Sequence, residues 1–185
     1  MKKVYVFCDV DGVLNNAHAK GIRNFLLWLD DNNISIFKEF IDYCHKKYGR
    51  ENTVIVLTSS WRKNNFPDGH DGIENFLKDY LFKSDVVIDD ETECLDIWGR
   101  GSEIAEYILR HKKEVAHYVV IDDDFAPDFK PLGITSHWVQ TSDDPTDGIG
   151  GLRKKHLRHL YEKIDKPVTE KDFEKLSRIR RWMKK

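Results

Sequence analysis

Cysteine is scarce in this chain, and so is any long apolar run. The three cysteines, Cys8, Cys44 and Cys94, are odd in number and far apart, and no two stand as Cys-x-x-Cys, so neither a disulfide framework nor a zinc knuckle is supported. They are expected to be reduced thiols in the core. No apolar stretch approaches the roughly 18 residues that a membrane-crossing helix needs. After Met1-Lys2-Lys3 the apolar run 4–8 stops at Asp9, too short for the apolar region of a signal peptide, so the expected location is the cytoplasm, with no membrane partner. The sequence also lacks Gly-x-x-x-x-Gly-Lys-Ser/Thr, which removes P-loop kinase chemistry, and it shows no internal repeat or low-complexity tract.

What is present is a globular composition with an uneven charge. Of 185 residues, 40% are hydrophobic and 34% charged, enough for a buried core under a wet surface. The net charge of −2 conceals an asymmetry: residues 152–185 hold 13 Lys+Arg against 5 Asp+Glu, which leaves 17 against 27 in residues 1–151. An acidic body of net −10 thus carries a basic tail of net +8.

Three continuous apolar, β-branched runs end in polar clusters. Val4-Tyr5-Val6-Phe7-Cys8 runs into Asp9-Val10-Asp11-Gly12, Thr53-Val54-Ile55-Val56-Leu57 into Thr58-Ser59-Ser60, and His117-Tyr118-Val119-Val120-Ile121 into Asp122-Asp123-Asp124. Each reads as a strand buried on both faces. Residues 85–88 read as a weaker strand and residues 136–140 as the last. Helical spacing joins Ile36, Phe37, Phe40, Ile41 and Cys44, then Ile73, Phe76, Leu77 and Tyr80, then Ile104, Tyr107 and Ile108, with Ser102 as a candidate start of the third helix. Alternating strands and helices predict an α/β fold with a doubly wound parallel sheet, in which ligands sit beyond the carboxyl ends of the strands. The polar clusters after the strands should therefore share one crevice. The tail predicts two amphipathic helices, one with Leu157, Leu160, Tyr161 and Ile164 inward and one, opened by Thr169, with Phe173, Leu176, Ile179 and Met183. The expected organisation is a core over 1–152 and a basic helical extension over 153–185.

Asp9 and Asp11, one residue apart, repel each other unless a cation or a shared proton intervenes, and Asp122 and Asp123 add to the case for a bound divalent ion. Oxygen ligands favour a hard cation, and Mg²⁺ is the default. Turn aspartates that only cap helices are the plainer alternative.

The motif Asp9-Val10-Asp11-Gly12-Val13-Leu14, followed in order by Leu57-Thr58-Ser59 and by Val120-Ile121-Asp122-Asp123, resembles the haloacid dehalogenase-like (HAD) phosphohydrolase superfamily. More narrowly, Thr58-Ser59-Ser60-Trp61-Arg62, Arg100-Gly101-Ser102-Glu103-Ile104 and Ile121-Asp122-Asp123-Asp124 resemble the small HAD domains associated with RNA-repair proteins, over about residues 4–152. The resemblance implies that Asp9 is the nucleophile forming an aspartyl-phosphate and that Asp11 is the general acid and then the base. It implies that Thr58, with Ser59 beside it, binds a phosphoryl oxygen, and that Asp9, the Asp11 carbonyl and Asp122 hold Mg²⁺, with Asp123 bound directly or nearby. The cation of the third motif, usually lysine, falls to Arg100, with Lys78, Lys83 and Arg62 as competitors. Gly12, Ser59 and Arg62 are counted with the substrate contacts, although Arg62 reads equally as a structural ion pair.

Substrate class is less legible. The segments after the first two motifs are too short for a sizeable cap domain, and an open crevice admits a nucleic-acid end. Phe25, Trp28, Trp61 and Trp98 offer rings that would stack on bases, and the basic tail would follow a phosphate backbone. Ordinary packing is the plainer reading of both, and His156 and His159 read as surface histidines. The expected activity is removal of a terminal phosphate from a nucleic acid or nucleotide. A mononucleotide or small-ester phosphatase and a HAD-fold binding module that has lost its reaction are the alternatives. A metal-dependent glycosyltransferase fits less well, because there Asp-x-Asp follows a nucleotide-binding half-domain, whereas Asp9 follows the first strand.

Overall fold

The computed structural model describes residues 2–16, 29–62, 73–95, 99–142 and 150–179. Strand β1, Lys3–Cys8, carries side chains alternately to two layers: Val4, Val6 and Cys8 enter one apolar cluster, Tyr5 and Phe7 the other. A strand covered on both faces must be apolar at every position, which explains the uninterrupted run 4–8. The remaining strands are β2, Thr53–Leu57, β3, Asp90–Glu91, β4, Val115–Asp122, and β5, Trp138–Gln140. Their order is β3-β2-β1-β4-β5 and every pairing is parallel. This is the expected α/β doubly wound sheet.

Helix α1, Asp31–Tyr48, begins where the Asp30 carboxylate accepts the Asn32 and Asn33 N–H groups, and it ends at Gly49, with φ of 91°. Its stripe of Ile34, Phe37, Phe40, Ile41 and Cys44 joins the first layer with Leu77 and Leu81 of α2, Ile73–Phe82. The second layer is built by α3, Gly99–Arg110, and α4, Ala126–Leu132. The two tail helices divide between the layers. In α5, Lys154–Ile164, the residues Leu157, Leu160 and Ile164 pack into the first, while Phe173 and Leu176 of α6, Glu170–Leu176, pack with Ile179 into the second. Pro167 breaks the two helices apart and bridges to His117. Met183 lies outside the described residues. No helix among the described residues is long and apolar enough to cross a membrane.

Five expectations are corrected. Residues 85–88 are not a strand: the edge pairing comes later, at Asp90–Glu91, because Asp89 supplies the link instead. Its N–H donates to Ile55 O at 2.9 Å, and its carboxylate, in place of a backbone carbonyl, accepts the Ile55 N–H at 2.8 Å. At the other edge Ile134–His137 form a 3₁₀ turn, so β5 starts at Trp138. Helix α3 starts at Gly99 rather than Ser102, which puts Arg100 in its first turn. Cys94 is exposed, whereas Cys8 and Cys44 are buried as expected. His156 is also no surface histidine. It is buried, with Nδ1 accepting the Arg153 N–H at 3.0 Å, and only His159 faces solvent.

Candidate active site

The strand order reverses between β1 and β4, and a doubly wound sheet opens its crevice at that point. The carboxyl ends of β1, β2 and β4 deliver Asp9, Thr58 and Asp122 there. Two hydrogen bonds extend the sheet by one step and fix these termini: Asp9 N–H to Ile121 O, 3.0 Å, and Thr58 N–H to Cys8 O, 2.9 Å. Beyond β1 the chain curls tightly. Val10 O accepts the N–H groups of Val13, Leu14 and Asn15, and Gly12 supplies φ of +69°. A β-carbon at Gly12 would lie 2.3 Å from Asp123 Oδ2, so glycine there lets the β1 loop meet the β4 loop. Thr141 ties the same two loops, donating its hydroxyl to Gly12 O at 2.6 Å and its N–H to Asp122 O at 3.2 Å.

Asp9, Asp122 and Asp123 each present an oxygen within 4.8 Å of the others, and Asp9 and Asp122 are buried. Arg100 faces them from α3, with Nη1 2.8 Å from Asp122 Oδ2, 3.2 Å from Asp9 Oδ1 and 3.4 Å from Thr58 Oγ1. Its guanidinium lies over the Phe125 ring, 4.7 Å from the centroid. Burial, and then the charge of Asp9, push the Asp122 carboxyl above the usual carboxylate range, while Arg100 pulls it back. Burial works against the Arg100 charge, but Asp9, Asp122 and Glu103 more than offset it, so the guanidinium is held above its ordinary value. Among the described residues, three carboxylates against one guanidinium leave surplus negative charge in a buried place, and Asp9 Oδ1 accepts no hydrogen bond from them. An all-oxygen donor set with that surplus fits a hard divalent cation.

The other expected residues are placed as follows. Thr58 and Ser59 are buried in the loop after β2. Asp11 accepts from Asn15 Nδ2 at 2.8 Å on Oδ1 and from Trp61 Nε1 at 2.9 Å on Oδ2. Arg100, on α3, is the third-motif candidate set against Asp9 and Asp122; Lys78 lies on α2 and the exposed Lys83 just after it. Arg62 sits beneath the crevice and not in it. It is buried, its Nη1 donates to Thr58 O and Ser59 O, and its Nη2 pairs with Glu103. A guanidinium so committed has the structural reading, not the substrate-contact one. Phe25, Trp28 and Trp98 lie outside the described residues, as do 17–28, 63–72 and 96–98 within the segments on whose shortness the absence of a cap was argued.

Asn15, Glu103, Phe125 and Thr141 were missed in the sequence. Glu103 reaches three groups: Arg62 Nη2, the Leu95 N–H at 3.0 Å and, at 3.9 Å, Arg100 Nε. Its i, i+3 spacing from Arg100 was the signal available. A separate cavity of about 750 Å³ opens at the opposite pole, lined by Lys3, Thr53 and Glu114 among others. Two ion pairs line it, Lys3 with Glu114 and Arg50 with Asp89, each at 3.2 Å, and it holds none of the residues of the β1–β4 crevice.

The family model of the HAD domain in Swiss Army Knife RNA repair proteins matches residues 5–149, and the chain belongs to this family. No curated protein and no solved structure matches the chain.

Proposed function

We propose that this HAD domain is a Mg²⁺-dependent phosphohydrolase that removes a terminal phosphate from a nucleic-acid end through an aspartyl-phosphate on Asp9. The observation that carries the reading is the meeting of Asp9, Thr58, Arg100 and Asp122 at one switch point, with Asp11 alongside. In this reading an Asp9 carboxylate oxygen attacks phosphorus, and the bond from phosphorus to the ester oxygen breaks as Asp11 gives that oxygen a proton. The Asp11 carboxylate then takes a proton from water, whose oxygen attacks the aspartyl-phosphate. Inorganic phosphate leaves, and Asp9 returns as a carboxylate. Arg100 and the Thr58 hydroxyl bind the phosphoryl oxygens and offset their charge. Mg²⁺ held by Asp9, the Asp11 carbonyl and Asp122, with Asp123 beside them, would supply Lewis acidity toward the transferring group.

The nucleic-acid substrate is supported by the start of α5. Leu152 N–H donates to Val13 O at 2.9 Å, and Asn33 Nδ2 holds Leu152 O at 2.7 Å, so α5 sets out from the loop that carries Asp9 and Asp11. Its first turns present exposed Lys154, Lys155 and Arg158, and residues 150–161 contain no acid. Cations at a helix N-terminus oppose the helix dipole, an arrangement that a polyanion relieves. The RNA repair proteins named in the family description point to the same substrate class.

The test is phosphate release, with Mg²⁺ and then with EDTA, from an aryl phosphate, from 3′- and 5′-mononucleotides and from oligonucleotides phosphorylated at either end, with Asp9→Asn as the blank. Preferred release from an oligonucleotide end is expected. Release from mononucleotides or small esters alone moves the substrate to metabolites, and no release from any of them leaves a binding module.

A further inference from the structure

The turn Ser60–Arg62 sends consecutive side chains to the two sides of the crevice. Trp61 reaches Asp11; Arg62 reaches Glu103, and through it the helix that carries Arg100. We propose that Trp61 is a positioning residue for proton transfer, the group that holds the Asp11 carboxyl where the leaving oxygen departs. The proposal rests on the phosphohydrolase reading above.

Indole Nε1 can only donate, and it meets Asp11 Oδ2 at 2.9 Å. The Asn15 side chain, fully buried, takes the other oxygen, and its orientation is fixed by the rest of the loop. Its Oδ1 accepts the Gly12 N–H at 2.9 Å, so Nδ2 must be the atom that faces Asp11 Oδ1 at 2.8 Å. These two donors, one on each oxygen, are enough to define the plane of the carboxyl. The residue is itself braced: the indole is half-buried against the apolar cluster of the first layer, and the Trp61 backbone N–H donates to Ser59 Oγ at 3.3 Å. A ring whose N–H is spent on Asp11 and whose body is packed on the core is built to hold a position. The distance of the general acid from a departing oxygen governs proton transfer, and general acid catalysis is worth roughly 10²–10⁴-fold. A bond that sets this distance comes from Trp61.

The test is Trp61→Phe, which keeps an aromatic ring and deletes the donor. kcat/KM is measured with Mg²⁺ on two esters: an aryl phosphate whose phenolate leaves without a proton, and an alkyl phosphate whose alkoxide needs one. Wild type and variant are compared by the ratio of the two values, which cancels any loss of folded protein. The ratio is expected to move against the alkyl ester by about tenfold or more, against the roughly 10²-fold or greater contribution of a general acid. Glu103→Gln, which acts on the cation side, is expected to lower both values together and leave the ratio within about twofold. A Trp61→Phe ratio unchanged within about twofold overturns the proposal and leaves the phosphatase reading intact. A wild-type protein that releases phosphate from neither ester nor from any phosphorylated oligonucleotide overturns both.

Discussion

Arg100 and Asp122 meet at 2.8 Å, Nη1 to Oδ2, with the two side chains only 9% and 0% exposed. Breaking a buried pair by removing one partner strands the other charge and costs about 3–5 kcal/mol. Arg100→Ala is expected to lose about that much in EDTA, read from urea unfolding, and to recover more of it on adding Mg²⁺ than wild type gains. Arg100→Lys, which keeps the charge, should lose less. Equal effects of Mg²⁺ on Arg100→Ala and wild type would show that the ion does not share these carboxylates.

Gly12→Ala should act through Asp123. The substitution places a β-carbon 2.3 Å from Asp123 Oδ2 at a φ of +69°, a backbone cost of about 1–2 kcal/mol in addition to the collision. The carboxylate must move away, and the expected result is at least about tenfold weaker Mg²⁺ binding in calorimetry, the scale seen when groups around a metal site are disturbed. Unchanged affinity would remove Asp123 from the site.

His137 sets an acid limit on the fold. Burial first, and then the charge of Lys166, lower it from its ordinary 6.5 to about 4, against the pull of nearby Asp172. The unfolded chain therefore takes up the proton before the folded one does. The stabilising contribution is complete above pH 6.5 and is lost as pH falls from there toward 4. His137→Phe keeps a ring stacked on Tyr118, now 4.1 Å away, and removes the titration. Urea midpoints at pH 7, 5.5 and 4.5 should fall less steeply for the variant, although it starts about 1 kcal/mol lower for want of the bond to Tyr118 O.

Lys154→Glu with Lys155→Glu should separate binding from folding. Acids at a helix N-terminus are favoured by the dipole, so thermal stability should hold or rise by a few tenths of a kcal/mol. KM for a phosphorylated oligonucleotide should rise several-fold, with a shallower salt dependence, while kcat/KM for an aryl phosphate stays the same. Equal effects on both substrates would make α5 a packing element alone.

The central strands were legible because burial on both faces forces an unbroken apolar run, as in Val4 to Cys8 and in Val119 to Ile121. Their polar exits marked the crevice for the same reason, since a charge directly after such a strand needs a purpose. The edges were not legible. At β3 an aspartate side chain substitutes for backbone, and hydrophobic patterning carries no trace of that. Within the site, the carboxylates and Arg100 followed from motif order. Trp61 was read as packing or a stacking ring, and its bond to Asp11 depends on where an indole nitrogen lands across 50 positions of chain. The burial of Arg62 was hidden for a similar reason: its partner Glu103 is 41 residues away. Long-range polar pairs have no period, and a sequence betrays them only when a second residue of matching charge falls at helical spacing, as Glu103 does from Arg100.

The pairing of β1 with β4 also sets a timetable. Asp9 emerges from the ribosome early, but the strand that aligns it begins at Val115 and its carboxylate partner is Asp122. At roughly 5–20 residues per second, synthesis of the intervening chain lasts on the order of ten seconds. Throughout that interval the nascent chain has Asp9 and no site, since Arg100 and Asp122 are not both in place to meet it. Any metal capture or phosphate chemistry waits until the second half of the sheet has been made.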